Sequence, residues 1–147
     1  MLDTAGLLGG LEKYAGNVIR KRSSSPKFQV HNMALIAAQS ANTLKEILRS
    51  PYKWGRVVES SVGAHLMNTS LTEKFKLWYW RDGNDEIDFV IENKGKIIGL
   101  EVKSGSSRRT SGMAAFKKYY NPHKVVLVGN EGIPWEQFLS LNPVELF

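Results

Sequence analysis

The sequence contains no cysteine, and this absence excludes disulfide bonds, thiolate metal sites and cysteine nucleophiles. It also lacks any apolar run of about 18–20 residues, so no segment is expected to cross a membrane. The N-terminus does not show the basic-then-apolar pattern of a secretory signal peptide. These absences predict a cytoplasmic protein with no membrane partner.

Acidic residues are scarce in the first part of the chain. Residues 1–56 hold nine Lys or Arg but three Asp or Glu, whereas residues 57–147 hold eleven of each kind. The whole net charge of +6 therefore comes from the first 56 residues. This asymmetry favours an anionic partner, most simply nucleic acid, although a need for solubility would also produce it.

A phosphate-binding glycine loop is also absent. The segment GLLGG at residues 6–10 lacks the Lys-Ser/Thr ending that grips phosphate and magnesium. We therefore expect no ATP site of the P-loop type within this chain.

The first fifty residues read as a small, partly helical segment. Leu7, Leu8 and Leu11 are spaced as on a helix over residues 3–15, and residues 17–30 read as two short strands around a serine-rich turn. A helix followed by a basic hairpin is typical of the end of a winged-helix unit. We therefore predict a winged-helix remnant with linker helices over residues 1–50, and expect further helices before Met1.

Residues 51–147 show an α/β pattern that begins at Pro51. A helix is predicted over about 53–69, then strands over 75–81, 86–93 and 96–105. A helix over 112–120, a strand over 124–130 and a final helix from Pro134 complete the pattern. The order α-β-β-β-α-β predicts an antiparallel meander followed by a helical crossover to a further strand.

Three charged residues interrupt the second and third of these strands. Side chains alternate along a strand, so Glu101 and Lys103 share one face, and a hairpin register can set Asp88 beside Glu101. Two close carboxylates are hard to keep ionised together without a cation between them, and Mg²⁺ accepts such ligands. The pattern indicates a metal-dependent phosphodiesterase site, with an ordinary cross-strand ion pair as the alternative.

This arrangement, EIDFV followed by GLEVKSG, resembles the PD-(D/E)XK nuclease superfamily. It is more narrowly similar to the nuclease-like domain at the C-terminus of many prokaryotic AAA+ ATPases, and the likeness extends to SSSPKFQVHNMAL and WGRVVESSVGAHL. The resemblance implies a mixed sheet flanked by helices. It also implies that Asp88 and Glu101 hold Mg²⁺ or Mn²⁺, that Lys103 is the catalytic lysine, and that Glu59 is the acid of the first helix.

The resemblance carries expectations about partners as well. It implies DNA as substrate, an AAA+ module that would hold ATP in a separate N-terminal domain, and possible homo-oligomers. The residues expected to contact DNA phosphates are Arg20, Lys21, Arg22, Lys27, Arg108 and Arg109. Ile87 stands where the family pattern has proline, and AAFKKYY lacks the glutamine of some related nucleases. The alternatives are therefore a catalytically degenerate fold that binds DNA or protein for the ATPase, and a purely structural oligomerisation domain.

Overall fold

The computed structural model describes residues 6–16, 25–105 and 111–147. The described part contains six strands, five α-helices and a final 3₁₀ turn. In chain order they are β1 (Leu8–Leu11), β2 (Lys27–Val30), α1 (Met33–Gln39), α2 (Leu44–Arg49), α3 (Pro51–Glu73), β3 (Lys76–Asp82), β4 (Asp85–Asn93), β5 (Lys96–Lys103), α4 (Ser111–Tyr120), β6 (Lys124–Gly129), α5 (Trp135–Ser140) and the 3₁₀ turn (Pro143–Leu146).

The central sheet has four strands in the order β3-β4-β5-β6. The first three form an antiparallel meander, and β6 returns parallel to β5 after the α4 crossover. The predicted order of helix, three strands, helix and strand is therefore confirmed, as is a mixed sheet flanked by helices. A helical crossover is what a parallel return to the same sheet requires.

Apolar residues fill the space on both sides of this sheet. On one side, Val62 and Leu66 of α3 and Phe138 of α5 pack on Phe89 and Leu100. On the other side, Phe116 of α4 packs with strand residues that include Ile87 and Val90. The strands are thus buried on both faces, which explains why their sequences are continuously apolar except at the charged positions.

Helix α3 is the longest element, and its start is encoded locally. Ser50 caps it by accepting a hydrogen bond from the Lys53 amide, and Pro51 occupies its first turn, where the missing amide hydrogen costs nothing. The helix ends at Glu73, and the C-cap residue Lys74 has a left-handed conformation. These signals place the start of α3 at Pro51, two residues before the predicted start near residue 53. None of the described helices is long and apolar enough to cross a membrane.

The predicted helix over residues 3–15 is wrong, because Leu8–Leu11 form strand β1. This strand pairs antiparallel with β2 through contacts such as Leu8 with Val30. Gly9 and Gly10 disfavour a helix, and an added Cβ on Gly9 would lie 2.8 Å from the sulfur of Met67 in α3. The other predicted strand of the basic hairpin lies within residues 17–24, outside the described residues.

The β1–β2 pair contacts the main domain directly. Leu11 is buried in the core with α3 residues, and the Gln29 amide donates a 2.9 Å hydrogen bond to the Ser60 carbonyl in α3. The predicted division into a winged-helix remnant over residues 1–50 and a nuclease-like domain over residues 51–147 stays a prediction. Physically, the described residues before it belong to the same packed structure.

Candidate functional site

A β-bulge in strand β4 sets the direction of Asp88. Trp78 pairs with Val90 and Trp80 pairs with Ile87, so Asp88 and Phe89 together oppose the single residue Tyr79. The extra residue turns Asp88 and Phe89 toward the same side, whereas Ile87 and Val90 both lie in the core under α4. Strict alternation along β4 would put Asp88 on the same face as Val90, and the bulge separates the two.

Lys27 of β2 lies among three carboxylates on the α3 side of the sheet. Its Nζ is 2.7 Å from Glu59 Oε1, 3.5 Å from Glu86 Oε1 and 3.7 Å from Asp88 Oδ1. It also stands 5.5 Å from the centre of the Phe89 ring, a cation–π distance. One ammonium group therefore joins β2, α3 and β4, and we call these four charged residues the Lys27 cluster.

Burial and a nearby negative charge raise the pKa of Asp88 in this cluster. Burial first, and then the nearby Glu59 carboxylate, raise the pKa of Asp88 to about 7, against the opposing effects of Lys27 and the Val102 amide. Burial would lower the pKa of Lys27, but the attraction of Glu59 and Asp88 outweighs it and holds that pKa above its usual value. The cluster holds more negative than positive charge, so a further cation or a proton is favoured there.

The Asp88 carboxylate also reaches the neighbouring strand β5. The backbone pairing of β4 with β5 ends at Phe89 and Leu100, and beyond it Asp88 Oδ2 accepts a 2.8 Å hydrogen bond from the Val102 amide. Backbone amides of a strand point sideways toward the neighbouring strand, within the plane of the sheet. The Asp88 carboxylate that accepts from the Val102 amide therefore lies near this plane, just beyond the last paired residues of β4 and β5. Asp88 therefore lies beside Val102, the residue that follows Glu101 in β5.

Glu101 and Lys103 form a separate pair. Lys103 Nζ lies 2.7 Å from Glu101 Oε1, and the Glu101 residue is 5% exposed. Leu100 and Val102 pack in the α3-side core, so alternation directs Glu101 and Lys103 toward the α4 side. The second oxygen, Glu101 Oε2, is buried and has no hydrogen-bond partner within the described residues. A buried carboxylate oxygen without a partner is costly unless a cation satisfies it.

The structure thus brings together some predicted site residues and separates others. Glu59 and Asp88 meet through Lys27 on the α3 side of the sheet, while Glu101 and Lys103 pair with each other on the α4 side. Among residues 6–16, 25–105 and 111–147, no three acidic or histidine side chains are already placed to hold a metal ion. The predicted roles of these residues in metal binding and catalysis stay predictions.

Two features of the site were not predicted from the sequence. Glu86 was not assigned a role, although it stands two residues before Asp88 on the same strand. Lys27 was expected to contact DNA phosphates, yet it pairs with carboxylates. No local signal links Lys27 to residues about thirty to sixty positions later. The other predicted phosphate contacts, at Arg20, Lys21, Arg22, Arg108 and Arg109, lie outside the described residues.

Residues 54–147 match the domain of unknown function DUF4143. This region holds α3 almost completely, the whole central sheet and the carboxylates Glu59, Asp88 and Glu101, but not Lys27. The comparison with curated proteins found no match, and neither did the comparison with solved structures.

Proposed function

The chain belongs to the DUF4143 family, defined as a domain of unknown function, and we propose that it is a metal-dependent phosphodiesterase acting on DNA. The proposal includes a PD-(D/E)XK type of fold and attachment to an AAA+ ATPase module. The observation that supports it most is Glu101 Oε2, which is buried and has no hydrogen-bond partner within the described residues. Glu101 directly precedes Val102, whose amide donates to Asp88.

The carboxylates of the site are the type of ligand that a hard divalent cation prefers. Asp88 and Glu101 supply carboxylate oxygens, which Mg²⁺ and Mn²⁺ prefer, and Asp88 lies where two strands separate. When bound, such an ion supplies charge neutralisation at phosphorus and a more acidic water. Glu59 adds negative charge beside Asp88, and Lys103 Nζ is a donor for a phosphate oxygen once it turns from Glu101.

Metal-dependent cleavage of a DNA duplex tests this function, with Glu101→Gln as the variant. We expect cleavage with Mg²⁺ or Mn²⁺, none with a chelator, and a loss of about 100-fold or more in the variant, because the neutral amide cannot hold the cation. Glu92→Gln is the matched control, since Glu92 lies on β4 and pairs with Lys76 at 3.9 Å. Equal activity of wild type and Glu101→Gln would contradict the proposal.

A second candidate is a non-catalytic binding module. The observation that favours it is Lys27, whose ammonium already neutralises part of the charge that a metal would neutralise. Calorimetric titration of Mg²⁺ into wild type and Lys27→Gln separates the two. The phosphodiesterase predicts binding that tightens in Lys27→Gln, because the competing cation is gone. Absence of binding to both proteins, with DNA binding intact in chelator, would establish the module instead.

A further inference from the structure

A cavity of about 540 Å³ opens beside the Lys27 cluster, between the β1–β2 pair and the turn that joins β3 to β4. Its lining includes Lys13, Lys27, Arg81 and Glu86, with Tyr79 of β3 among them. Three cations from three separate parts of the chain therefore face one space, together with one acid. This volume lies in the usual range for sites that take small molecules or parts of larger ones.

Backbone hydrogen bonds hold the wall that carries Lys13. The Tyr14 amide donates to the Tyr79 carbonyl at 2.7 Å, and the Tyr79 amide donates to the Glu12 carbonyl at 3.1 Å. Lys13 consequently lies alongside β3 in a parallel bridge with Tyr79. The Tyr79 hydroxyl in turn donates to the Ser25 carbonyl at 2.8 Å, which ties the opposite wall to the same residue.

The charges in the cavity are not balanced internally. Glu86 Oε1 is already 3.5 Å from Lys27 Nζ, so the acid in the lining is paired within the Lys27 cluster. Neither Lys13 nor Arg81 forms an ion pair with any residue of the described segments, and Arg81 Nε donates only to the Gly83 carbonyl at 3.3 Å. Lys13 and Arg81 are therefore available to bind an anion in the cavity, and Lys27 is a third cation in the same lining.

We infer that this cavity binds a backbone phosphate of DNA, with Lys13 and Arg81 as direct donors and Lys27 between that phosphate and the carboxylates. A phosphate in this place would hold the strand beside Asp88. The inference rests on the proposed function for the identity of the ligand as DNA. The same phosphate chemistry could come from free phosphate, and the experiment distinguishes the two sources.

The test is the salt dependence of duplex binding, measured in chelator by fluorescence anisotropy of a short labelled DNA. Each phosphate contact contributes about 0.9 to the slope of log affinity against log salt concentration. In the double variant Lys13→Gln/Arg81→Gln, we expect the magnitude of the slope to fall by roughly twice that amount, because both phosphate donors are lost. The control is Lys117→Gln with Lys118→Gln, an equal change of charge on exposed positions of α4.

The outcomes separate this inference from the proposed function. A slope that falls in the cavity variant more than in the α4 control supports the cavity, even if no metal-dependent cleavage is found. Equal slopes in wild type and cavity variant overturn it, even if cleavage occurs. Calorimetric binding of inorganic phosphate that the cavity variant abolishes, with unchanged duplex slopes, would assign the cavity to free phosphate and overturn the DNA ligand. Arg81→Lys should restore part of the slope, and thermal unfolding shows whether each variant is folded.

Discussion

At the scale of single residues, the ionisation of Asp88 links the site to the stability of the fold. Burial and the Glu59 carboxylate raise the pKa of Asp88 from 3.8 to about 7 in the folded protein. The folded state therefore binds a proton more tightly than the unfolded chain does. The corresponding stability is fully present below about pH 4 and is lost as the pH rises toward about 7.

Replacing Asp88 by asparagine tests this linkage. The free energy of unfolding of wild type, relative to Asp88→Asn, should fall by about 3 kcal/mol between roughly pH 4 and pH 7, since each pKa unit corresponds to about 1.4 kcal/mol. Urea unfolding of both proteins at several pH values measures it. A difference that is constant with pH would show that Asp88 is not buried as a raised-pKa carboxyl.

A feature of the site could be predicted from the sequence only where neighbouring residues in the chain encode it. The identities of Asp88, Glu101 and Lys103 as charged residues within buried strands follow from the sequence. The direction of Asp88 does not, because one extra residue in β4 shifts which side chains share a face. The pairing of Glu101 with Lys103 can be predicted from the sequence, since Lys103 stands two positions away on the same strand.

At the scale of elements, helix α3 determines how closely the site residues approach each other. Gly63 lies where α3 meets both β2 and β4, and an added Cβ there would clash with the Gln29 amide oxygen and stand 2.9 Å from Phe89 Cζ. The missing side chain allows the helix to approach the strands that carry Lys27 and Asp88. Glu59 lies one turn earlier on the same helix, and its contact with Lys27 depends on this approach.

Gly63→Ala should therefore destabilise the protein by about 1–3 kcal/mol, the usual cost of adding atoms to a packed interface. Gly55→Ala, in the same helix, is the control because its Cβ would meet only the rotatable Ser104 hydroxyl at 2.9 Å. There the gain in helix propensity, up to about 1 kcal/mol, should offset the contact. Urea unfolding followed by tryptophan fluorescence compares the two, and an equal loss in both would contradict this account of Gly63.

At the scale of the whole molecule, residues on both sides of the predicted boundary near residue 50 form one packed structure. Leu11 of β1 is 3% exposed and lies in the core with Val62 and Leu66 of α3. The family match begins at residue 54, yet Lys27 and Leu11 lie before it. The region that precedes the match thus contributes both to the core and to the charge balance of the site.

Leu11→Ala should consequently lower the free energy of unfolding by about 2–4 kcal/mol, as expected for a buried leucine that leaves a cavity. Leu44→Ala provides the control, because Leu44 is 68% exposed on α2 and its truncation should change stability little. Thermal or urea unfolding measures both. Similar values for the two variants would mean that β1 does not belong to the cooperative core.

Local sequence patterns are sufficient to predict the class of fold and the order of elements from α3 to β6, because periodicity, proline and short polar turns act over short distances along the chain. The sequence also determined which residues are charged where apolar ones are expected. Tertiary structure alone decided that residues 8–11 form a strand, that β4 contains a bulge and that Lys27 joins Glu59, Glu86 and Asp88. The physical reason is that these features arise from contacts between distant segments, whose geometry no local pattern of side chains specifies.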